Sequence, residues 1–341
     1  MGTSSGQRSM KVGLIGAGRI GAFHARNLVS LEGLSSLVIA DVDSGLAQRV
    51  AQEVGARATL YVPSLLSEVD AVVIAAATDV HAELIVASAQ AGLPIFCEKP
   101  ISLDVGSTNR VLEAMERSGV PLQIGFQRRF DPGFIAARRL VESSELGRLY
   151  AARLATHDPE PAHDAYIRAS GGLFRDMMIH DFDILRWTTG LEVVEVYAAG
   201  DTMTGNEAFP DIGDVDTAAA LLTLEGGAVA VVTGLRHDPL GYDVRMELFG
   251  SRDSVVAGAG DKTPLRMLDG EPEDGSTPRH QHFMDRFESA YRDELAAFLR
   301  VARGEIATPC SGADAREALR IAEAATRSLR EGRPVAMDQI P

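Results

Sequence analysis

The chain has 341 residues, a formal charge of −15, 45% apolar residues and 24% charged ones. That length is more than one hydrophobic core usually fills, so two domains are expected, and the composition is that of a folded globular protein rather than a disordered one. The acid excess sets the surface against phosphate backbones and anionic lipid, which argues against nucleic-acid and membrane partners. No apolar run approaches the ~20 residues needed to span a bilayer. Cys97 and Cys310 stand alone, without a CxxC or other metal spacing, so a reducing cytoplasmic setting is expected. The first nine residues are polar and read as a leader outside the fold.

From Lys11 the pattern alternates short apolar strands with helices. Strands are expected at Val12–Ile15, Leu37–Ala40, Ala71–Ala75, Pro94–Cys97 and Leu122–Phe126, with helices over Ile20–Ser30 and His81–Ala91. Such alternation predicts an α/β domain, a parallel sheet covered on both faces, over residues 10–130. Asp131-Pro132 reads as a helix N-cap followed by a first-turn proline. Leu149–Thr156 is a strand, His157–Tyr166 a polar loop, and Leu173–Thr188 a helix. The stretch Val193–Val256 is rich in strands and includes a hairpin across Glu225-Gly226-Gly227. A loop over Asp261–Arg279 and helices over His282–Arg303 and Gly312–Glu331 close the chain. Residues 131–341 are therefore expected to form an α+β domain with a large open mixed or antiparallel sheet.

Three motifs carry chemistry. Gly16, Gly18 and Gly21 form G-x-G-x-x-G between a strand and a helix, with Arg19 and Ile20 inside it. The glycines allow the tight turn, the approach of a pyrophosphate and close helix–strand packing, and the helix N-terminus supplies free N–H groups. Asp41, at the end of the second strand, is placed to accept the ribose hydroxyls, which favours NAD over NADP; the neighbouring Arg19 is the one feature that would suit a 2′-phosphate. Glu98-Lys99-Pro100 ends a strand at the carboxyl edge of the sheet. An ammonium there can donate to a substrate oxygen, and an X–Pro bond at such a turn can be cis. In Gly171–Trp187, Asp176 and His180 stand at i and i+4 on one helix face, with Asp183 at i+7. A carboxylate one turn from an imidazole can orient it as a base for an alcohol proton. The same pair could instead be an exposed surface pair, or supply metal ligands with Asp181. No second histidine sits at ligand spacing, so no metal is expected. His157 and His163 read as surface loop residues.

GAGRIG with Asp41, VVIAAATDVHAEL, FCEKP, GFQRRFDP and GGLFRDMMIHDFDILRW together resemble the Gfo/Idh/MocA oxidoreductase family over residues 11–335, and GGxxxDxxxHDxDxxRW is most similar to its inositol 2-dehydrogenases. The resemblance implies an N-terminal Rossmann domain, a C-terminal α+β domain whose open sheet face builds dimers or tetramers, and NAD-dependent oxidation of a secondary alcohol of a cyclitol or sugar to a ketone. It implies Lys99, Asp176 and His180 as the catalytic set and Glu98 near the nicotinamide ribose. It implies Asp158, Arg128, Asp183 and Tyr242 as substrate contacts. Alternatives are another sugar dehydrogenase or keto-sugar reductase of this fold, a redox-assisted glycosidase, and a non-catalytic dinucleotide sensor. The chain departs from the family in having Ala76-Ala77 where Ser or Thr and then Pro usually stand, and in the loop His157–Tyr166.

Overall fold

The computed structural model describes residues 9–266, 268 and 278–341; the polar leader to residue 8 and much of the expected 261–279 loop lie outside the described residues. In chain order the elements are β1 (Met10–Ile15), α1 (Arg19–Val29), β2 (Leu34–Ala40), α2 (Ser44–Val54), β3 (Arg57–Thr59), α3 (Val62–Glu68), β4 (Ala71–Ile74), α4 (Thr78–Gln90), β5 (Ile95–Glu98), α5 (Val105–Ser118) and β6 (Leu122–Gly125). There follow α6 (Pro132–Glu142), β7 (Leu149–His157), α7 (Asp164–Ala169), α8 (Ile179–Thr189), β8 (Val193–Asp201), α9 (Ala208–Asp211), β9 (Thr217–Leu224), β10 (Val229–Leu235), β11 (Asp243–Gly250) and β12 (Ser254–Ala257). Last come α10 (Phe283–Arg286), α11 (Glu288–Ala302), α12 (Gly312–Glu331) and β13 (Val335–Ala336).

The chain divides into two compact units. The first runs to Gln127 and takes back Ser289–Arg316. Its six strands are all parallel in the order β3-β2-β1-β4-β5-β6. This is the doubly wound order in which ligands bind outside the carboxyl ends, where the strand order reverses, here between β1 and β4. Strands β4, β5 and β6 are buried at every residue, as a sheet covered on both faces requires. Asp43 and Asp104 cap α2 and α5 by accepting backbone N–H groups, which fixes where those helices begin. A division of the chain at residue 130 does not provide for the return of α11. Leu295, Phe298 and Leu299 are its reason: all three are buried in the same core as Leu14, Ile39, Val73 and Phe96.

The second unit comprises Arg128–Glu288 and Glu317–Pro341. Its seven-stranded sheet has the order β12-β11-β7-β10-β9-β8-β13, with β7 and β10 parallel and the other pairs antiparallel. The expected hairpin is β9–β10. Asp131 caps α6 through the N–H groups of Gly133 and Phe134, as its sequence signature indicates. Three expectations are corrected. Part of the expected loop, from Asp164, is the helix α7, because His163 caps it by accepting the Tyr166 N–H. The segment expected as one helix from Leu173 opens with a π-helical turn over Phe174–Met178 before α8. The expected helix His282–Arg303 is broken at Phe287 into α10 and α11.

Replacing Phe298 with alanine removes a fully buried ring that stands 5.8 Å from Phe96. The variant should lose about 3–5 kcal/mol in urea unfolding. A loss below about 1 kcal/mol would take α11 out of the first unit's core.

Candidate active site

Gly16, Gly18 and Gly21 lie in the turn from β1 into α1. A Cβ on Gly16 would stand 2.4 Å from the Ala75 carbonyl oxygen, and one on Gly21 would stand 2.0 Å from that of Gly16. Both positions are closed by their own backbone. At Gly18 the backbone is ordinary (φ −62) and a Cβ would meet nothing within 4 Å. The turn is therefore open on one side. Gly18 caps α1 without a side-chain hydrogen bond, and a helix N-terminus at such a turn suits an anion. Asp41 Oδ2 accepts the Ala17 N–H at 2.6 Å and its Oδ1 accepts the Asp43 N–H at 2.8 Å. The carboxylate so ties the turn to the end of β2 and retains lone pairs for ribose hydroxyls. A shallow cleft lined by Ala17, Gly18, Arg19, Leu46 and Arg49 opens beside it. Ile20 packs half-buried against the core. These residues fit a dinucleotide.

Glu98 ends β5, and Lys99 follows half-buried with a cis peptide to Pro100. Two histidines that the sequence did not single out hold this turn. His24 of α1 meets Glu98 Oε1 through Nε2 at 2.6 Å, while Glu98 Oε2 accepts the Lys99 backbone N–H at 3.3 Å. His81 of α4 is 1% exposed. Its ring nitrogens stand 2.8 Å from the Pro100 carbonyl oxygen and 3.0 Å from that of Ala76, so it joins the turn to the end of β4. Ala77, in the position where the family usually places Pro, begins α4 without a side-chain cap.

In the second unit, strand register gathers the polar groups. His157 of β7 pairs with Leu235 of β10 and with Asp243 of β11. Asp158, Arg236 and Tyr242, each one residue beyond these, therefore share one end of the sheet. Arg236 Nη1 lies 2.9 Å from Asp176 Oδ2 and 3.8 Å from Asp158 Oδ2. Tyr166 of α7 donates its hydroxyl to Asp176 Oδ1 at 2.8 Å. Burial of that hydroxyl, and then the Asp176 carboxylate beside it, push the phenol above its usual range, so it remains a donor. Asp176 lies in the π turn, with Gly171 and Gly172 leading in at positive φ; the Leu173 N–H is capped by Asp214. His180 follows one turn on, half-buried.

The other expected contacts have a different setting. Arg128 is 1% exposed and donates to Asp181 Oδ1 at 2.6 Å and to the Thr156 hydroxyl at 2.8 Å. Asp183, also 1% exposed, holds Arg129 through two bonds of 2.5 and 2.9 Å. Tyr242 is buried beside Arg128; burial raises its phenol well above the usual range. Among the described residues Arg128 and Asp183 are thus members of buried ion pairs, which suits holding the site in shape better than touching a substrate. His157, expected in a surface loop, is instead the last residue of β7. Its Nε2 is 3.0 Å from the Thr233 hydroxyl and its Nδ1 is 3.5 Å from Asp238. His163 is exposed and caps α7. Tyr166 and Arg236 were missed because they lie outside any motif. The sequence did hold a signal for Arg236, a lone cation at the end of an alternating strand.

A Gly18→Val variant should fold with stability within about 0.5 kcal/mol of wild type, since its Cβ has room, yet bind NAD at least tenfold more weakly by calorimetric titration; unchanged affinity would remove the turn from the dinucleotide site. The family model described as an oxidoreductase family with an NAD-binding Rossmann fold matches residues 10–126, and the GFO/IDH/MocA C-terminal domain matches residues 134–256. A myo-inositol dehydrogenase of Streptomyces leeuwenhoekii is 41% identical, over 96% of this chain and 100% of its own. The crystal structure of a myo-inositol dehydrogenase from Corynebacterium glutamicum is 34% identical, with a TM-score of 0.88, over 96% of this chain and 98% of its own. A scyllo-inositol dehydrogenase from Lactobacillus casei, crystallised with NAD(H) and scyllo-inositol, is 26% identical with a TM-score of 0.87, over 97% of this chain and 100% of its own. The chain therefore belongs to the GFO/IDH/MocA oxidoreductase family and is an NAD-dependent dehydrogenase.

Proposed function

We propose that the substrate is an inositol-type cyclitol, myo-inositol first, oxidised at one secondary hydroxyl to the ketone. The observation that carries this reading is the held carboxylate of Asp176, bonded by Tyr166 and Arg236 one helical turn before His180. Those two partners hold Asp176 in place, and a carboxylate there stabilises an imidazolium at His180. His180 takes the hydroxyl proton, and Lys99 donates to the oxygen as its charge develops. Bound NAD supplies the hydride acceptor. Asp158, whose side chain is 27% exposed, accepts from ring hydroxyls, and Tyr242 shapes the same end of the sheet. Arg128 and Asp183 position these groups through their ion pairs. Asp41 selects the unphosphorylated ribose.

Self-association is the second part of the proposal. Tyr197, Leu221, Val231, Arg153, Glu247 and Val256 are register partners across six strands on one sheet face. Tyr197, Leu221, Val231 and Val256 are each 39–53% exposed. A row of that kind, apolar on both sides of the Arg153–Glu247 pair, suits a second copy of the same face. Two free buried cysteines favour the cytoplasm. Among the described residues no helix is long and apolar enough to cross a membrane.

A panel of inositols and aldoses with NAD⁺, followed by NADH absorbance, should single out a cyclitol; turnover confined to aldoses would sink the substrate reading. His180→Ala should lower kcat by about 10²–10⁴-fold with NAD affinity retained. Near-full activity would reassign the base. Leu221→Asp should shift wild-type oligomers toward monomer in light scattering, and an unchanged mass would move the interface elsewhere.

A further inference from the structure

Behind the Lys99 turn lies a second acidic group that the proposed chemistry does not use. Glu294 of α11 is fully buried, and among the described residues neither of its carboxyl oxygens has a hydrogen-bond partner. Its carboxyl lies within 4.8 Å of both the Glu98 carboxyl and the His24 ring nitrogen. Three elements of the first unit are fixed around it. Gln123 of β6 donates through Nε2 to the Glu294 backbone carbonyl at 2.9 Å, which pins α11. Tyr291 and Phe96 set their rings edge-on to His24 at 5.8 and 5.6 Å. Cys97, its thiol pushed up by burial and then by Glu98, adds no charge.

The hydrogen-bond arithmetic separates the two acids. Glu98 has His24 on one oxygen and the Lys99 N–H on the other. An ionised Glu294 would have no donor on either oxygen and a like charge beside it, in a pocket closed to water. A buried carboxylate in that position takes up a proton instead. We propose that Glu294 stays a neutral carboxylic acid at neutral pH, so that no second charge competes with Glu98 for His24 and the Lys99 turn. Burial, and then the Glu98 charge, raise the Glu294 carboxyl well above its ordinary range, in the direction that geometry requires. A metal ion shared by the three residues fits less well. The 2.6 Å between His24 Nε2 and Glu98 Oε1 is a hydrogen bond, shorter than two ligands on one tetrahedral ion would stand.

The inference rests on Lys99 acting in the reaction only for its effect on turnover; the protonation state is read independently of activity. A carboxyl raised in the folded state contributes stability that is fully present below its unfolded pKa and lost as pH rises toward its folded value. In the full-length protein, the folding constant of wild type relative to Glu294→Gln should therefore fall about tenfold per pH unit from about pH 5 upward. A protonated-carboxyl C=O stretch in the infrared spectrum of wild type should be missing from Glu294→Gln. Glu294→Leu and Glu294→Gln, both uncharged, should keep kcat within about twofold of wild type. A stability difference independent of pH, with no infrared band lost, would show an ionised Glu294 and overturn the proposal. So would stoichiometric divalent metal in the purified protein. A loss of about tenfold in kcat in both uncharged variants would show that the Glu294 charge is used in turnover and overturn the proposal. Should Glu294→Leu fail to fold, the glutamine comparison decides the protonation state alone.

Discussion

A carboxylate taken out of water must find a cation or a set of donors, and that constraint governs the stretch from Asp176 to Asp183. Three aspartates within it, at 176, 181 and 183, are buried. Each meets a different arginine: Arg236 beyond β10, and Arg128 and Arg129 in the short 3₁₀ turn before α6. Removing one partner of such a pair costs about 3–5 kcal/mol, because the other charge is stranded. The helix bearing Asp176 and His180 is thus clamped from two sides by pairs with little freedom to re-form elsewhere. The result is a fixed backbone for the turn that carries Asp176 and, four residues on, His180.

The clamp depends in turn on how the sheet is registered. β7 and β10 run parallel, so their carboxyl ends meet at the same edge, and antiparallel β11 begins there. A slip of one residue in β10 would turn Arg236 to the other face and take its guanidinium from Asp176. The alternation along β10 opposes that slip, because Ala230 and Val232 are buried while Val229 and Val231 face outward. Hydrophobic patterning thereby sets the position of a charge that is itself far from apolar. The same alternation leaves the outward row that suits self-association.

Much of this architecture is legible in the order of the residues. The glycine turn, the parallel sheet, the hairpin and the α6 cap follow from local rules acting over a few residues. Asp176 and His180 stand out because helical spacing holds them together whatever the tertiary fold. The π turn is not legible, since nothing in Phe174–Met178 distinguishes it from an α-helix until packing decides. Tyr166, Arg236, His24 and Glu294 escape for a related reason. Their partners lie 10, 60, 74 and 196 residues away, and no periodicity encodes such a distance. Arg128 and Asp183 are contacts only as the resemblance implies them, and Asp181 and Arg129, which complete their ion pairs, carry no sequence sign of being partners.

The acids of the chain therefore sort by how completely they are engaged. Asp181 has Arg128 and Thr156 across both oxygens and is fully buried; it is structure. Asp41 spends one lone pair of each oxygen on a backbone N–H and stays part-exposed, which leaves acceptor capacity for a ligand's hydroxyls. Asp158 stands 3.8 Å from Arg236 with a quarter of its side chain exposed. A polyhydroxylated ring needs acceptors that are held in place yet not used up. On the proposed reading Asp158 takes that part at the end of the sheet where Asp176 is held, while Arg128 and Asp183 stand in buried ion pairs. Exposure, more than charge or position in a motif, is what sets Asp41 and Asp158 apart from Asp181 and Asp183.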